Sequence, residues 1–161
     1  MKQKEIKFLM DVAKLAAEQS YAIRLKVGGV ITDSLGNLIA YAYNGTPHGT
    51  DNSCERKEYA QHIQCTPDEN YPCVDLVSNN PPYRLVTKDN VIHCEQNLIA
   101  HAARRGISVL SGKVFLTHSP CMHCASMLIQ SGISDVYFLE KFRTFDEVFK
   151  EYNSKLNFIK A

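Results

Sequence analysis

The chain has 161 residues, with 18 lysines and arginines against 17 aspartates and glutamates. That length suits a single domain whose core is large enough to fold without a metal or a disulfide. The net charge of +1 argues against binding to long nucleic acid, and no apolar run approaches the roughly 20 residues that span a bilayer. The first residues lack the apolar stretch of a signal peptide, so we expect a cytoplasmic protein, or one of the host cytoplasm if viral, with reduced cysteines.

The first predicted elements are a helix and a hairpin. Apolar residues at helical spacing from Ile6 to Ala17 predict the helix. Residues 25–32 and 38–43 predict two strands, joined by a turn in which Gly36 and Asn37 supply the unusual backbone angles.

A long segment without periodicity follows, and regular elements then return. Residues from about 46 to 90 predict an inserted loop. We expect helices over 94–105, 121–131 and 144–152, and strands over 113–118, 135–140 and 155–159. Alternating strands and helices imply parallel strands covered by helices, and the opening hairpin makes the sheet mixed. The predicted fold is one α/β domain over residues 1–161, a three-layer αβα sandwich with about five strands.

Two short segments carry the residues of a metal site. His93-Cys94-Glu95 and Pro120-Cys121-Met122-His123-Cys124 each precede or begin a predicted helix. Both sulfurs of a Cys-x-x-Cys at a helix start can face one metal, and the helix dipole favours their thiolates. With His93, Cys121 and Cys124 as ligands, a zinc ion would keep one open position, as catalytic zinc does. Glu95 would then lie beside the metal and move protons.

Two other interpretations of these residues stay open at this point. A Cys-x-x-Cys with a distant histidine can form a purely structural zinc site, or no site. A redox pair is also possible for the two cysteines, but it gives no role to His93 and Glu95. The combined pattern H-x-E and P-C-x-x-C is typical of zinc deaminases that act on nucleobases.

These motifs resemble the cytidine/deoxycytidylate deaminase superfamily, over residues 5–45 and 91–159. The resemblance rests on His93–Ala100, Ser119–Cys124 and Gln130–Ile133. Residues Ala42–Gly49 and Ser20–Gly28 further resemble segments of deoxycytidylate (dCMP) deaminases, those of phages and bacteria above all. The implied fold is cytidine deaminase-like. The implied reaction is the zinc-dependent hydrolysis of dCMP to dUMP and ammonia, with Glu95 as the catalytic proton carrier.

The resemblance also implies residues that bind the base and the sugar. Asn44 is expected to contact the deoxyribose, and backbone groups of Cys94 and Ser119 to contact the pyrimidine edge. Most relatives have alanine where Cys94 stands. We expect the Cys94 side chain to point away from the zinc and not to act as a fourth ligand.

The 5′-phosphate of such a substrate requires positive charge nearby. Arg24 and Lys26 are the candidate cations, with the Ser20 hydroxyl in support. A solvated strand edge is the other interpretation of the two cations.

A second, structural zinc is common in the family but is not expected here. Its usual ligand positions hold Ala22 or Ile23 and Val91, which cannot bind a metal. A different site would have to use residues of the inserted loop, and their spacings match no standard zinc signature. These residues are His48, Cys54, His62, Cys65 and Cys73.

The family resemblance also implies regulation and assembly. The loop that contains Tyr43, Gly45, Pro47 and Gly49 is the expected allosteric segment. It implies a homohexamer that dCTP activates, together with Mg²⁺, and that dTTP inhibits.

Two alternative functions stay open, and only the second belongs to a different class of protein. The first is another deaminase, acting on a free nucleoside or on an adenosine in tRNA, although a tRNA enzyme should be more basic than +1. The second is a non-catalytic zinc-binding module that senses nucleotides, which would have no need for Glu95.

Overall fold

Helices and strands alternate along most of the chain. The computed structural model describes residues 1–62, 65–75, 77 and 80–161. Its α-helices are α1 (Gln3–Glu18), α2 (Cys94–Arg104), α3 (Met122–Gln130) and α4 (Phe145–Tyr152). Its strands are β1 (Gly28–Thr32), β2 (Leu38–Tyr43), β3 (Glu55–Tyr59), β4 (Tyr83–Thr87), β5 (Lys113–His118), β6 (Asp135–Glu140) and β7 (Asn157–Lys160).

The main sheet is mixed and has five strands in the order β2-β1-β5-β6-β7. Strand β1 runs antiparallel to both β2 and β5. Strands β5, β6 and β7 are parallel, because α3 and α4 return the chain to the same side each time. The predicted mixed sheet is therefore confirmed, including the bounds of β5 and β6.

Helices cover both faces of this sheet, which confirms the three-layer sandwich. On one face α1 packs through Leu9, Met10 and Ala13 against alternate residues of the central strands, namely Val30, Phe115 and Tyr137. On the other face Leu98 of α2 and Leu128 of α3 pack against the intervening residues, namely Ile31, Val114, Leu116 and Val136. The period-two alternation along the strands separates the two cores.

The contact between α1 and β1 depends on a glycine. A Cβ at Gly28 would lie 2.2 Å from both the carbonyl oxygen of Ala13 and the amide nitrogen of Ala17. Backbone atoms cannot yield to such an overlap, so only glycine lets the helix approach this closely.

The turn between β1 and β2 differs in one detail from the prediction. Gly36 has a φ of 94°, as expected, but Asn37 does not adopt a positive φ. Asn37 instead donates its side-chain amide to Asp33 Oδ2 at 2.8 Å. The asparagine stabilises the turn through its side chain, which its residue type alone could not distinguish from an unusual backbone angle.

The inserted segment is not only a loop, and the expectation for residues 46–90 needs correction. Strands β3 and β4 form an antiparallel hairpin in which Glu55 pairs with Thr87 and Tyr59 with Tyr83. Exposed charged residues occupy much of β3, so the hydrophobic alternation that identifies a strand is missing. Residues 63, 64, 76, 78 and 79 of the predicted loop lie outside the described residues.

Within the described ranges, every helix falls short of the length and apolar character that a membrane span requires.

Candidate metal centre and active site

Three side chains with metal-binding atoms meet where α2 and α3 begin. His93 is the residue that caps the N-terminus of α2, and Cys121 caps the N-terminus of α3. Cys124 follows one turn later, inside α3. The structure therefore brings together the three ligands that the sequence predicted.

The distances within this cluster suit a tetrahedral zinc ion. His93 Nδ1 lies 3.6 Å from Cys121 Sγ and 3.4 Å from Cys124 Sγ. Ordinary zinc–nitrogen and zinc–sulfur bonds at a tetrahedral angle place these atoms about 3.5 Å apart. Among the described residues this is the one group of three or more histidine, cysteine or acidic side chains with ligand atoms close enough for a metal. The donor set and its spacing fit zinc with a fourth position left open.

Backbone contacts fix the position of His93. Its N–H donates to Gln96 Oε1 at 2.8 Å, which closes the first turn of α2. The preceding Ile92 exchanges two backbone hydrogen bonds with Gly45, at 2.8 and 3.1 Å. The histidine is thus held both by its own helix and by the loop after β2.

The two sulfurs differ in their electrostatics. A hydrogen bond from the Cys124 thiol lowers the pKa of Cys121 strongly, against the effect of burial, and His93 adds to this lowering. The same hydrogen bond, together with burial and the Glu95 charge, raises the pKa of Cys124. The hydrogen bond with Cys121 also raises the pKa of His93. The cluster therefore favours a thiolate at Cys121, which is the form of cysteine that binds metal.

Glu95 is the buried acid of the site. It is only 4% exposed, and burial raises the pKa of its carboxyl group. It lines the same cavity as His93 and Cys121. A carboxylate enclosed beside a metal cluster can exchange protons with a small molecule in the cavity.

Cys94 belongs to the core behind the site. Its side chain is fully buried, and its thiol donates to the carbonyl oxygen of Ala42 at 3.3 Å. Burial raises the pKa of Cys94 well above the usual value, so the group stays a thiol. This orientation, away from the three ligands, is the one expected from the sequence.

The cavity in front of the cluster has a volume of roughly 510 Å³, enough for a nucleotide-sized ligand. Predicted site residues that line it are Arg24, Asn44, His93, Cys94, Glu95, Ser119 and Cys121. Ser20 and Lys26 do not line it.

Asn44 and Ser20 hold the backbone beside the cavity. Asn44 Oδ1 accepts hydrogen bonds from the Ser20 hydroxyl and from the Val27 N–H, each at 2.8 Å. Asn44 Nδ2 donates to the carbonyl oxygen of Leu25 at 2.9 Å. Ser20 is only 2% exposed. Both side chains are engaged within the protein, although Asn44 still borders the cavity.

The two candidate cations point in different directions. Arg24 borders the cavity, and its Nη1 donates to Thr87 Oγ1 at 3.1 Å. Lys26 Nζ instead contacts the carbonyl oxygen of Glu18 at the end of α1, at 3.5 Å. On a regular strand, residues two apart would face the same side. Residues 20–27 form neither a helix nor a strand, and the two side chains instead follow their separate contacts with Thr87 and Glu18.

Several cavity residues were missed by sequence reasoning, and four of them bear on substrate binding. Phe142 and Arg143 follow β6, and a signal for them was available, because the carboxyl ends of parallel strands share one edge of a sheet. The N–H of Phe142 donates to Ser119 Oγ at 2.8 Å, which fixes this loop at the cavity. Glu55 and Thr87 come from the hairpin β3–β4, whose sequence gave no indication of its position.

A second cavity of roughly 470 Å³ lies beside β2 and α2. It is lined by all four predicted allosteric residues, Tyr43, Gly45, Pro47 and Gly49, and by His101 and Arg105. Cys54, which is 1% exposed, borders both this cavity and the one at the metal cluster. Cys54 is therefore part of the wall of both cavities.

The cysteines of the insert are free thiols in different environments. Cys54 is buried, Cys65 is exposed and Cys73 is half-buried. Burial raises the pKa of the Cys54 thiol. Within the described ranges none of them joins a metal-binding group of three.

The mixed sheet, the His-Cys-Cys cluster and the buried Glu95 together define a zinc-dependent deaminase domain. A family model described as the cytidine and deoxycytidylate deaminase zinc-binding region matches residues 3–140. The chain belongs to this family.

Relatives with solved structures or curated descriptions agree with this assignment. The deoxycytidylate deaminase of Enterobacteria phage T4 is 30% identical over 152 residues, which cover 83% of this chain and 77% of the phage protein. The dCMP deaminase of cyanophage S-TIM5, solved in complex with dCMP and dUMP, has a TM-score of 0.76 at 27% identity and covers 100% of this chain and 99% of its own. A tRNA:A34 deaminase structure with a TM-score of 0.58 is only 14% identical, over 98% of this chain and 99% of its own, and shows the fold alone.

Proposed function

We propose that this protein deaminates dCMP to dUMP and ammonia by hydrolysis. The observation that carries the proposal is the buried carboxylate of Glu95, which lines a nucleotide-sized cavity together with His93 and Cys121. A purely structural zinc site would not require an acid at this position. The relatives named deoxycytidylate deaminase support the choice of dCMP as the substrate.

His93, Cys121 and Cys124 hold the zinc in this proposal. When bound, zinc supplies a water molecule that is activated at neutral pH. Glu95 takes a proton from the attacking water and passes protons to N3 of the cytosine ring and to the leaving amino group. Its burial keeps bulk water from competing for those protons.

The cytosine base is recognised by groups at the starts of α2 and α3. The Ser119 N–H is engaged by the carbonyl oxygen of Glu140 at 2.8 Å, so the Ser119 carbonyl is the group that would contact the pyrimidine edge. Cys94, whose backbone is the other candidate contact, lines the same cavity. Asn44 borders the position proposed for the deoxyribose, while its side chain fixes the neighbouring backbone.

The 5′-phosphate is bound by arginines at the cavity mouth. Arg24 and Arg143 both border the cavity and both are exposed, so each can donate to an anion there, Arg24 through the donors that its bond to Thr87 leaves over. Lys26 contacts Glu18 and is a less direct candidate than the sequence suggested. Ser20 contributes by holding Asn44.

A substrate panel tests this proposal against other deaminases. Loss of the cytosine amine is followed by ultraviolet absorbance with dCMP, deoxycytidine, cytidine, dCTP and a tRNA anticodon stem. We expect dCMP to have the highest kcat/KM. Preference for a free nucleoside or for the tRNA stem would identify another deaminase, and a zinc-loaded protein with no turnover of any substrate would identify a nucleotide-sensing module.

The proposal extends to regulation and assembly. The second cavity collects the four loop residues expected to bind an effector, which supports dCTP, with Mg²⁺, as activator and dTTP as inhibitor. Tyr41 and Leu38 are about half exposed on the edge strand β2, at 55% and 47%, which supports a homohexamer built from this edge. Such an enzyme would act in the cytoplasm, or in the host cytoplasm if viral, and supply dUMP for thymidylate synthesis.

Effector binding can be measured directly. We expect dCTP with Mg²⁺ to lower the dCMP concentration at half-maximal rate, and dTTP to raise it. Arg105→Ala, which changes a residue of the second cavity only, should weaken both effects. Rates that are independent of both nucleotides would remove regulation from the proposal.

A further inference from the structure

The segment of residues 20–27, between α1 and β1, presents Arg24 to the active-site cavity. It forms neither a helix nor a strand, so its backbone N–H groups need partners from other parts of the protein. The side chain of Asn44 accepts hydrogen bonds from the Ser20 hydroxyl and the Val27 N–H, and it donates to the Leu25 carbonyl oxygen. These contacts hold the two ends of the segment. The middle of the segment is held from elsewhere.

Glu55, the first residue of β3, holds this middle part. Its Oε1 accepts the N–H of Ile23 at 3.1 Å and the N–H of Arg24 at 3.2 Å. The residue is only 8% exposed, although most glutamates lie in solvent, and it borders the cavity. A buried carboxylate that accepts two backbone N–H groups is a strong constraint on their position.

The partner strand of the hairpin holds the side chain of the same arginine. Thr87 pairs directly with Glu55 in the β3–β4 ladder, and its hydroxyl accepts from Arg24 Nη1 at 3.1 Å. One rung of the hairpin thus fixes both the backbone and the guanidinium group of Arg24.

We propose that Glu55 and Thr87 are positioning residues through which the inserted hairpin β3–β4 orients Arg24 toward the 5′-phosphate of the substrate. This inference rests on the proposed function and adds a role for the insert in selecting a nucleotide over a nucleoside. An arginine binds a phosphate with two parallel hydrogen bonds only when its planar group is held at the correct angle. A substrate without a phosphate makes no use of that orientation.

The test compares dCMP with deoxycytidine in variants of Glu55. In Glu55→Ala we expect the KM for dCMP to rise about tenfold with kcat changed less than about threefold, since a uniform binding interaction is lost. The ratio of kcat/KM for dCMP to that for deoxycytidine should fall by a similar factor. Glu55→Gln should keep most of this ratio, because the amide oxygen still accepts from both N–H groups. A merely structural role would reduce turnover of both substrates alike.

Two variants of Thr87 and one control make the test independent of the stability of Glu55→Ala. Thr87→Val replaces the hydroxyl with a methyl group and should lower the ratio of kcat/KM for dCMP to that for deoxycytidine about threefold. Thr87→Ser keeps the hydroxyl and should preserve this ratio. Glu58→Ala is the matched control, because it removes another acid from the same strand. The partner of Glu58 is the exposed Arg84, which does not line the cavity. The ratio of this control should equal that of the wild type.

The outcomes separate this inference from the proposed function. If the wild type deaminates dCMP and the ratio is unchanged in Thr87→Val and in folded Glu55→Ala, the positioning role is wrong and the function stands. An equal loss for both substrates in these variants also contradicts it. If the wild type deaminates neither substrate, the proposed function fails and this inference fails with it.

Discussion

Glu95 is the residue on which the distinction between a catalytic and a structural zinc site depends. Glu95→Gln keeps the size of the side chain but cannot move protons. We expect the variant to retain its zinc and to lose at least about 10²-fold in kcat, the lower range for general acid–base catalysis. Metal analysis and dCMP turnover are measured on the same preparation, with Glu58→Gln as the control. A variant that turns over at nearly the wild-type rate would contradict the proton-transfer role.

Cys94 and Cys124 are both buried thiols close to the site, but only one of them faces the cluster. We expect Cys124→Ala to lose zinc, since it removes a ligand, and Cys94→Ala to retain one equivalent. The latter change leaves a small gap beside Ala42 and should cost about 1 kcal/mol of stability. Metal content after gel filtration checks both. Loss of zinc from Cys94→Ala would show that the ligand set is incorrect.

Single residues also show how far the sequence could predict the site. The three ligands and Glu95 could be predicted because each lies in a short motif whose geometry is set by one helix start. The roles of Arg24 and Lys26 could not be separated in this way. Their directions depend on contacts with Thr87 and Glu18, which are distant from each other in the chain.

Among the secondary-structure elements, the starts of the parallel strands are joined by one carboxylate. Asp135 begins β6 and pairs with Lys113 of β5, and it accepts from Asn157 of β7 at 2.9 Å. Burial alone would raise the pKa of Asp135, but the contacts with Lys113, Asn157 and Ser134 outweigh it and lower the pKa. The ionised form is therefore the one that stabilises the fold.

We expect Asp135→Asn to lower the free energy of unfolding by about 2 kcal/mol at pH 7, since the carboxylate and its lysine are mostly buried. Because the folded pKa lies below the ordinary value of 3.8, this contribution is complete above that pH. It is then lost as the pH falls through the lowered pKa, so the wild type and the variant should converge in acid. Urea denaturation at several pH values measures the difference. Asp11→Asn, at an exposed ion pair, should have far less effect, and a difference that grows in acid would contradict the assignment.

The hairpin β3–β4 in the inserted segment could not be predicted from the sequence, in contrast to the buried strands. Strands β5 and β6 are buried on both faces, so their apolar runs identified them. Strand β3 carries mostly exposed charged side chains, which form ion pairs such as Lys57 with Asp75. The contribution of the hairpin lies in Glu55 and Thr87, whose contacts with the segment before β1 join residues about 30 and 60 positions apart.

At the scale of the whole molecule, the near-neutral charge agrees with a small substrate. A mononucleotide needs a few local cations and not a basic face. In the proposed function Arg24 and Arg143, which both line the cavity, provide them. The overall topology, which brings the starts of α2 and α3 together, places the group of His93, Cys121 and Cys124 at the wall of the same cavity.

Hydrolysis of dCMP at the centre formed by His93, Cys121 and Cys124 requires both the metal and the protein. The decisive measurement is the formation of dUMP and ammonia from dCMP by the wild-type protein, by the same protein after removal of metal with a chelator, and after zinc is restored. We predict equal amounts of the two products, their loss with the metal and their return with zinc. If dCMP stays intact in the presence of the zinc-loaded protein, or is converted equally well by the metal-free protein, the central claim is wrong.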